Sequence, residues 1–473
     1  MKLESIRIQN MKNVENGEIS FRKNVTKKDL DEIVNLVGVY GQNGSGKTAI
    51  VDALGLVRKL ILGEQIKGKV RNFIRDTARE LTITLQFFVQ EDYESEIEYS
   101  VSIGAKESRV YISDERLAAS MKSGELDSNL MTLLHYQDGC ENSFFKPQKR
   151  YEYYSNIEND SDIERMIDVR IAKRDAEGVQ TEAGSTDRPE QSFRSFIFHK
   201  SSSEHFQRDQ IEAGDYLPTV IRNLKEYAHM KIAVVEMNEN FLTMTDTPML
   251  MFPISYHDMN NNSYVKLKLE EENQMPELLY GVVKNNINMI NEILESLVPG
   301  CRLGTYDQKK TLLENGKDGI SFMITSIRNG HQIPFRCESA GIKKIIVLAT
   351  KLMSYYNDPS FLLVIDEFDT GIFEYLLGEM VEVLHEGAKG QMIFTCHNLH
   401  SMELLEKECV IFTTVNEKKR YIRPKNISKN KNLRLAYLAS LSVGGQEEEL
   451  YSDTDKQDFA EALEDAYFMD RPQ

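Results

Sequence analysis

The chain has 473 residues, a formal net charge of −17 and five cysteines with no C-x-x-C pair. That length suits two or three domains with large cores, and the cysteine pattern argues against structural zinc and fits reduced thiols in the cytoplasm. No window approaches the roughly eighteen consecutive apolar residues of a membrane span and no cationic-then-apolar leader opens the chain; the acidic balance makes nucleic acid the less favoured partner.

In chain order, the first segment that carries chemistry is Gly41-Gln42-Asn43-Gly44-Ser45-Gly46-Lys47-Thr48. It follows the apolar run Leu36-Val37-Gly38-Val39-Tyr40 and precedes a helical pattern through Ala49, Ile50, Val51, Ala53 and Leu54. Gly-x4-Gly-Lys-Thr between a strand and a helix is a phosphate cradle, in which backbone N–H groups and the positive end of the helix dipole face the anion. Lys47 would reach the β- and γ-phosphates, and the Thr48 hydroxyl would ligate Mg²⁺. Nucleotide binding is therefore expected at Gly41, Asn43, Gly44, Ser45, Gly46, Lys47 and Thr48.

Residues 81–118 read as antiparallel strands, Leu81–Val89, Glu96–Ile103 and Arg109–Ile112, joined by charged turns. From about 119 to 210 the chain is polar and expected to be irregular, with a loop-like stretch from Asp175 to Gln191. Basic residues gather in Lys146–Arg150, in Arg165–Arg174 and at Arg188, Arg194, Lys200 and Arg208. Glu158, Asp160, Asp162 and Glu164 alternate with them, which reads as a solvated mixed-charge face rather than a nucleic-acid site. Leu217, Val220, Ile221, Leu224 and Tyr227 mark a helix over 215–230, followed by a strand over 231–235. Leu279, Val283, Ile287, Ile290, Leu294 and Leu297 share one face of a helix over 276–298. At roughly three heptads this helix is a core element and not a coiled-coil arm. Asn329-Gly330 turns a hairpin between Ile320–Ile327 and His331–Phe335.

Glu338-Ser339-Ala340-Gly341 opens a helix through Ile345, Ile346, Leu348 and Ala349. Alone it reads as an ordinary N-cap, although a hydroxylated helix start also suits an anion. Phe361–Ile365 is a buried-strand run ending in Asp366 and Glu367. An aspartate at that tip can hold a Mg²⁺ shell, and the adjacent glutamate can orient and deprotonate water for phosphoryl transfer. A second apolar strand, Gln391–Cys396, ends at His397, which is placed to sense a γ-phosphate. Cys396, His397 and His400 belong to the strand end and the next turn rather than to a metal site. The tail turns from basic (Lys425, Lys429, Lys431, Arg434) to acidic over 446–465. Its Asp453-Thr454-Asp455 has the D-x-D of TOPRIM nuclease folds but follows Glu447-Glu448-Glu449 instead of an apolar strand. Phe459, Ala460, Leu463, Ala466 and Tyr467 describe an exposed amphipathic helix suited to self-association or partner docking.

Together these motifs resemble the ABC-type ATPases of the SMC, RecF and OLD group, AAA family ATPases of bacterial genomes. Residues Met1 to Asn10 are similar to that group's first strand, and Glu338-Ser339-Ala340-Gly341 to its reduced signature motif. The resemblance covers about the first hundred residues and the stretch from roughly 320 to 415. It implies an α/β fold, a P-loop ABC-type ATPase head with an antiparallel β-lobe, split by an inserted mainly helical domain. The expected boundaries are 1–118 for the N-terminal half of the head with P-loop and β-lobe, and 119–305 for the insert with its polar, mobile stretch. Residues 306–423 form the C-terminal half with signature, Walker B and switch histidine, and 424–473 a tail. The resemblance also implies a head-to-head dimer or higher oligomer, with ATP and Mg²⁺ between the P-loop of one protomer and Ser339 and Gly341 of the other. In cis, Lys47, Glu367 and His397 would be catalytic, and Thr48 and Asp366 would hold the metal. Gln86 and Gln90 both remain candidates for the family's Q-loop glutamine.

Within that group, residues Asp366 to Glu379 look most like the stand-alone ATPases of PARIS-type and related abortive-infection phage-defence systems. This implies a cytoplasmic ATP-hydrolysing sensor and scaffold that holds a separate nuclease or toxin effector until a phage trigger arrives. OLD proteins carry a nuclease in the same chain, and here too few residues follow for one. The other reading is a RecF- or SMC-like DNA-repair ATPase that clamps DNA directly. A transporter is disfavoured by the signature and the long insertion, and a GTPase by the missing Asn-Lys-x-Asp guanine reader.

Overall fold

Leu36–Tyr40 is buried along its whole length, as only a strand covered on both faces can be. In the computed structural model it lies between Gln391–Cys396 and Val410–Thr413, parallel to both. Leu362–Ile365 pairs in parallel with the outer side of Gln391–Cys396, Ile232–Val235 closes that edge, and Tyr421–Ile422 adds antiparallel at the other. The strand Ile232–Val235, from the middle of the sequence, thus belongs to the same sheet as the two chain ends. Helices Lys47–Ile61 and Ala340–Asn357 pack against this sheet, and Glu374–Gly387 makes the crossover between Leu362–Ile365 and Gln391–Cys396. The structure describes all residues except 24–31, 91–93, 107–108, 124–125, 128, 141–142, 182–189, 212–214, 237–248, 255–262, 315, 426, 428–431 and 470–473. Arg188, Lys429, Lys431 and most of the loop-like stretch expected over 175–191 therefore lie outside the described residues, as Val179–Thr181 pairs with Glu190–Phe193 across it.

A second, antiparallel sheet begins with the first strand of the chain. Its order is Phe145–Lys146, Met131–Gln137, Arg109–Ser123, Glu94–Lys106, Glu80–Gln90, Lys2–Met11 and Val14–Ser20, with Leu126–Asp127 paired to Arg109–Ser123. Alternating burial along Glu80–Gln90 is the pattern of a sheet with one face on a core. The buried amide of Gln391 fastens this sheet to the parallel one. It accepts from the Leu3 N–H at 3.0 Å and donates to the Leu3 carbonyl at 2.9 Å, at the step where the register to Glu80–Gln90 shifts.

The sheet runs further than the sequence suggests: residues 119–146, expected to be irregular, supply strands. The reason is visible in Arg109–Ser123, whose centre carries a carboxylate where a core strand would carry an apolar residue. Glu115 is fully buried and accepts from the Tyr99 hydroxyl (2.6 Å), the Ser195 hydroxyl (2.6 Å) and the N–H groups of Phe196 (2.8 Å) and Ile197 (3.1 Å). Burial pushes its pKa up, and these hydrogen bonds oppose the shift. Around it Tyr136, Phe145, Phe196 and Phe206 form an aromatic cluster that seats helices Gln148–Ser155 and Lys200–Arg208, and Asp160–Ala176 packs against these two.

Helix Leu217–Met230 leads into the edge strand of the parallel sheet, and Glu277–Leu297 lies against the sheet of Cys301–Leu312 and Asp318–Arg328. The Asn329-Gly330 turn has φ 48° and 84°, positive at both positions as a two-residue hairpin of this type requires. Two helices, Leu433–Val443 and Lys456–Met469, end the chain, and Phe459 and Leu463 on the second are exposed. Among the described residues no helix is long and apolar enough to cross a membrane.

Glu115→Ala would strand two hydroxyls and two amide groups in a dry interior. The expected loss is about 3 kcal/mol, read as a lower denaturation midpoint, with Glu115→Gln recovering part of it.

Candidate functional site

The parallel strands all end at one edge, and the loops that follow them converge there. The first is residues 41–48. Gly41 admits no side chain, because a Cβ would lie 1.7 Å from the Thr413 hydroxyl on the next strand. Gly46 precedes helix Lys47–Ile61 with φ 90°, a left-handed conformation that glycine adopts without steric cost. The Tyr421 hydroxyl donates to its carbonyl at 2.8 Å. The first turn of the helix holds no acidic residue, so its free N–H groups and dipole present positive potential to the cleft. Ser45 faces backwards instead: its hydroxyl lies between the Gln42 carbonyl (2.7 Å) and the Thr413 hydroxyl, and it is buried. Lys47 curls over the loop and donates to the carbonyls of Gly41 and Gln42, both at 2.8 Å. Burial lowers its pKa, while Asp366, Asp369 and Glu367 pull the other way.

Asp366 stands at the tip of Leu362–Ile365 and is nearly buried. Its Oδ1 accepts from the hydroxyls of Thr395 (2.6 Å) and Thr48 (3.4 Å). The Thr395 hydroxyl also accepts from the Glu367 N–H at 2.7 Å, so one side chain on the neighbouring strand positions both acidic residues. Glu367 has φ 45°, left-handed and strained for a residue with a side chain, a conformation that costs on the order of 1–3 kcal/mol and clusters at functional sites. Its Oε2 accepts from the Thr370 hydroxyl at 3.0 Å, and its carbonyl accepts from Lys344 Nζ at 2.6 Å. His397 follows Gln391–Cys396 and is exposed. The N–H groups of His397 and Asn398 donate to Asp369 Oδ2 at 3.0 and 2.8 Å, which fixes the histidine loop to the loop after Asp366.

These groups surround a cleft of about 530 Å³ in which Asn43, Lys47, Thr48, Asp366, Glu367 and His397 come together. Gly44 and Gly46 line it as well, whereas Gly41 and Ser45 support the loop from behind. Ser339 and Gly341 are outside the lining. Ser339 is an exposed N-cap that accepts from the Ile342 N–H at 3.4 Å. Gly341 is pressed on the loop after Asp366, where a Cβ would come within 2.0 Å of the Gly371 carbonyl oxygen. Neither Q-loop candidate reaches the cleft: Gln86 bonds Ser5 and Glu98 within the antiparallel sheet, and Gln90 pairs with Glu94 at its far end. The strand beside Leu362–Ile365 is Ile232–Val235, and it is followed by Glu236.

Sequence reading missed four residues here: Lys12, Thr395, Asp369 and Lys344. Lys12 lines the cleft, sits 4.6 Å over the Phe73 ring and pairs with Asp52 of the P-loop helix. Burial raises the pKa of Asp52 and Lys12 opposes it. Thr395 and Asp369 had a signal in their places beside known motif residues, but which partner each holds depends on strand adjacency.

Residues 1–401 match the family described as AAA ATPase domain. Among solved structures, an SMC head bound to the C-winged helix domain of ScpA aligns at 13% identity over 90% of this chain and 98% of its own, with a TM-score of 0.43. An SMC head with an extended coiled coil bound to the C-terminal domain of ScpA, derived from Pyrococcus furiosus, aligns at 14% over 94% and 100%, with a TM-score of 0.41. The SMC head domain from Thermotoga maritima aligns at 13% over 90% and 100%, with a TM-score of 0.33. No curated protein matches the sequence.

Thr395→Val keeps the shape of the strand but removes the hydroxyl shared by Asp366 and the Glu367 N–H. Nucleotide affinity should change little while hydrolysis falls by about 10- to 100-fold, as measured by nucleotide titration beside steady-state phosphate release.

Proposed function

Because the chain belongs to the AAA ATPase domain family and is an ATPase, we propose that it hydrolyses ATP at the interface of a head-to-head dimer. The observation that carries this reading is the divided site. The cleft gathers the P-loop, Asp366, Glu367 and His397 but leaves outside it the helix start at Ser339–Gly341, whose Ser339 and Ala340 are exposed. A helix N-terminus suits an anion, and in this reading the one at Ser339–Gly341 meets the γ-phosphate bound by a second copy of the chain.

In this mechanism the N–H groups of the P-loop and the helix dipole hold the polyphosphate, and Lys47 leaves its two carbonyls to meet the β- and γ-phosphate oxygens. The Thr48 hydroxyl and the Asp366 carboxylate, 3.4 Å apart, are hard oxygen donors that fit Mg²⁺ and would hold it. When bound, that ion supplies neutralisation of phosphate charge. Glu367 orients the attacking water and takes its proton. His397 approaches the γ-phosphate from the adjacent strand end. Ser339 and the Gly341 N–H of the second copy complete the shell.

At the level of biology, the reading is an ATP-gated sensor and scaffold of an anti-phage abortive-infection system. The dimer would hold a separate nuclease or toxin effector and release it on a phage trigger. Supporting it are the resemblance of residues Asp366 to Glu379, the net charge of −17, and the exposed Phe459 and Leu463 on the last helix as a docking face. A DNA-clamping repair ATPase is the alternative outcome of the test below.

Glu367→Gln should bind ATP, accumulate as a closed dimer and hydrolyse about 10²- to 10⁴-fold more slowly; normal turnover would refute its role. Ser339→Arg should leave nucleotide binding to the monomer intact and block ATP-dependent dimerisation in sedimentation velocity. Affinity purification of the Glu367→Gln protein, expressed with its native gene neighbours, separates the biological readings. A nuclease-like partner without DNA supports the scaffold, whereas DNA without a protein partner supports the clamp.

A further inference from the structure

Glu367 presents a problem of positioning. Its backbone is left-handed, its carboxylate is tied to Thr370, and the loop that follows carries Asp369, which holds the His397 loop. Something must keep this loop from relaxing into an ordinary conformation and withdrawing the carboxylate. Thr395 holds the N–H side of Glu367. The carbonyl side is held from a different element.

Lys344 lies on helix Ala340–Asn357, one turn after Gly341, and is 2% exposed. Its Nζ donates to the Glu367 carbonyl at 2.6 Å and to the Thr370 carbonyl at 3.0 Å, clamping both ends of the short turn between them. That turn is closed by the Thr370 N–H donating to the same Glu367 carbonyl at 3.0 Å. A buried ammonium is costly to desolvate and is kept where it meets specific acceptors. Burial pushes its pKa down to about 8, against the pull of Asp369, Glu367 and Asp366. The same helix touches the loop a second time, through Gly341 packed directly on Gly371. The start of the helix and the turn bearing Glu367 are therefore joined at two points, one steric and one polar.

We propose that Lys344 is a positioning residue that sets the backbone of Glu367 and makes its alignment depend on the position of the Ser339–Gly341 helix start. This deepens the reading above and rests on Glu367 being the base. Any displacement of the helix start on contact with a second copy passes through one helical turn to Lys344 and through its hydrogen bonds to the Glu367 and Thr370 carbonyls. Hydrolysis is thereby tied to engagement of the helix start, while ATP binding, which uses the P-loop, is not.

The test is a double-mutant cycle on the full chain, with Lys344→Met, Glu367→Gln and the combination, read by single-turnover ATP hydrolysis, nucleotide titration and thermal melting. Lys344→Met should lower kcat by about tenfold or more with KM and nucleotide affinity within about twofold. In the Glu367→Gln background it should lower the residual rate no further, because it acts through the missing carboxylate. An equal fall in both backgrounds, a parallel loss of nucleotide affinity, or an unchanged kcat would each overturn the proposal. Normal turnover by Glu367→Gln alone overturns both this inference and the assignment of the base, whereas an inactive Glu367→Gln beside a normal Lys344→Met removes the inference only. Should the methionine variant fail to fold, Lys344→Gln, whose shorter side chain keeps a neutral NH2 donor group, is compared in the same cycle and judged by the same outcomes.

Discussion

The parallel insertion of Leu36–Tyr40 between Gln391–Cys396 and Val410–Thr413 is the constraint on which the rest of the molecule depends. Parallel strands all point the same way, so the loops leaving them emerge at one edge, and each return needs a crossover. Gly41, Asp366 and His397 follow three such strands and so meet without any local sequence relation. Closing the very long loop between the two ends of the chain costs little more than closing a moderate one, because that entropy grows only logarithmically. The apolar side chains of the strands, buried on both faces, more than offset it. The pairing is reinforced at the P-loop itself by Ser45 against Thr413 and Tyr421 against Gly46.

On that edge, the acidic pair is arranged by hydrogen bonds that cross from strand to strand. Thr395 serves Asp366 through its proton and the Glu367 N–H through its lone pair, a use open only to a hydroxyl. Valine, its isostere, could do neither. The strained backbone of Glu367 is held by groups from two other elements, so the geometry of the acidic pair belongs to the assembled fold rather than to the loop. Where its members are buried, as Thr395 and Asp366 are, such a network is strong while complete and costly when one member is lost.

The antiparallel sheet has its own polar device in Glu115. A carboxylate with four donors can be buried among aromatics, but a charged letter inside a strand hides that strand from any pattern based on alternation. With Asp114, Glu115 and Arg116 in succession the alternation stops near Ile112, and the chain from about 119 onward reads as irregular. The partner of Gln391 is equally hidden, since nothing at the start of a core strand announces that its amide will pair with the backbone of Leu3.

The P-loop, the acidic strand end, the histidine strand and the Asn329-Gly330 hairpin are legible in the sequence, because each is a local pattern. Glycine conformations, helix starts and continuous apolar runs are decided by neighbours a few residues away. Helices Leu217–Met230 and Glu277–Leu297 were legible for the same reason, through their apolar faces. Only the tertiary structure decided the order of the strands, and with it everything that depends on adjacency across the sheet. It placed Ile232–Val235 beside Leu362–Ile365, moved Gln86 and Gln90 away from the cleft and turned Ser45 behind the loop. It also gave Thr395, Asp369, Lys12 and Lys344 their partners. Hydrogen bonds between elements far apart in the chain leave no periodicity in the sequence, so these contacts become visible only when the strands are laid side by side.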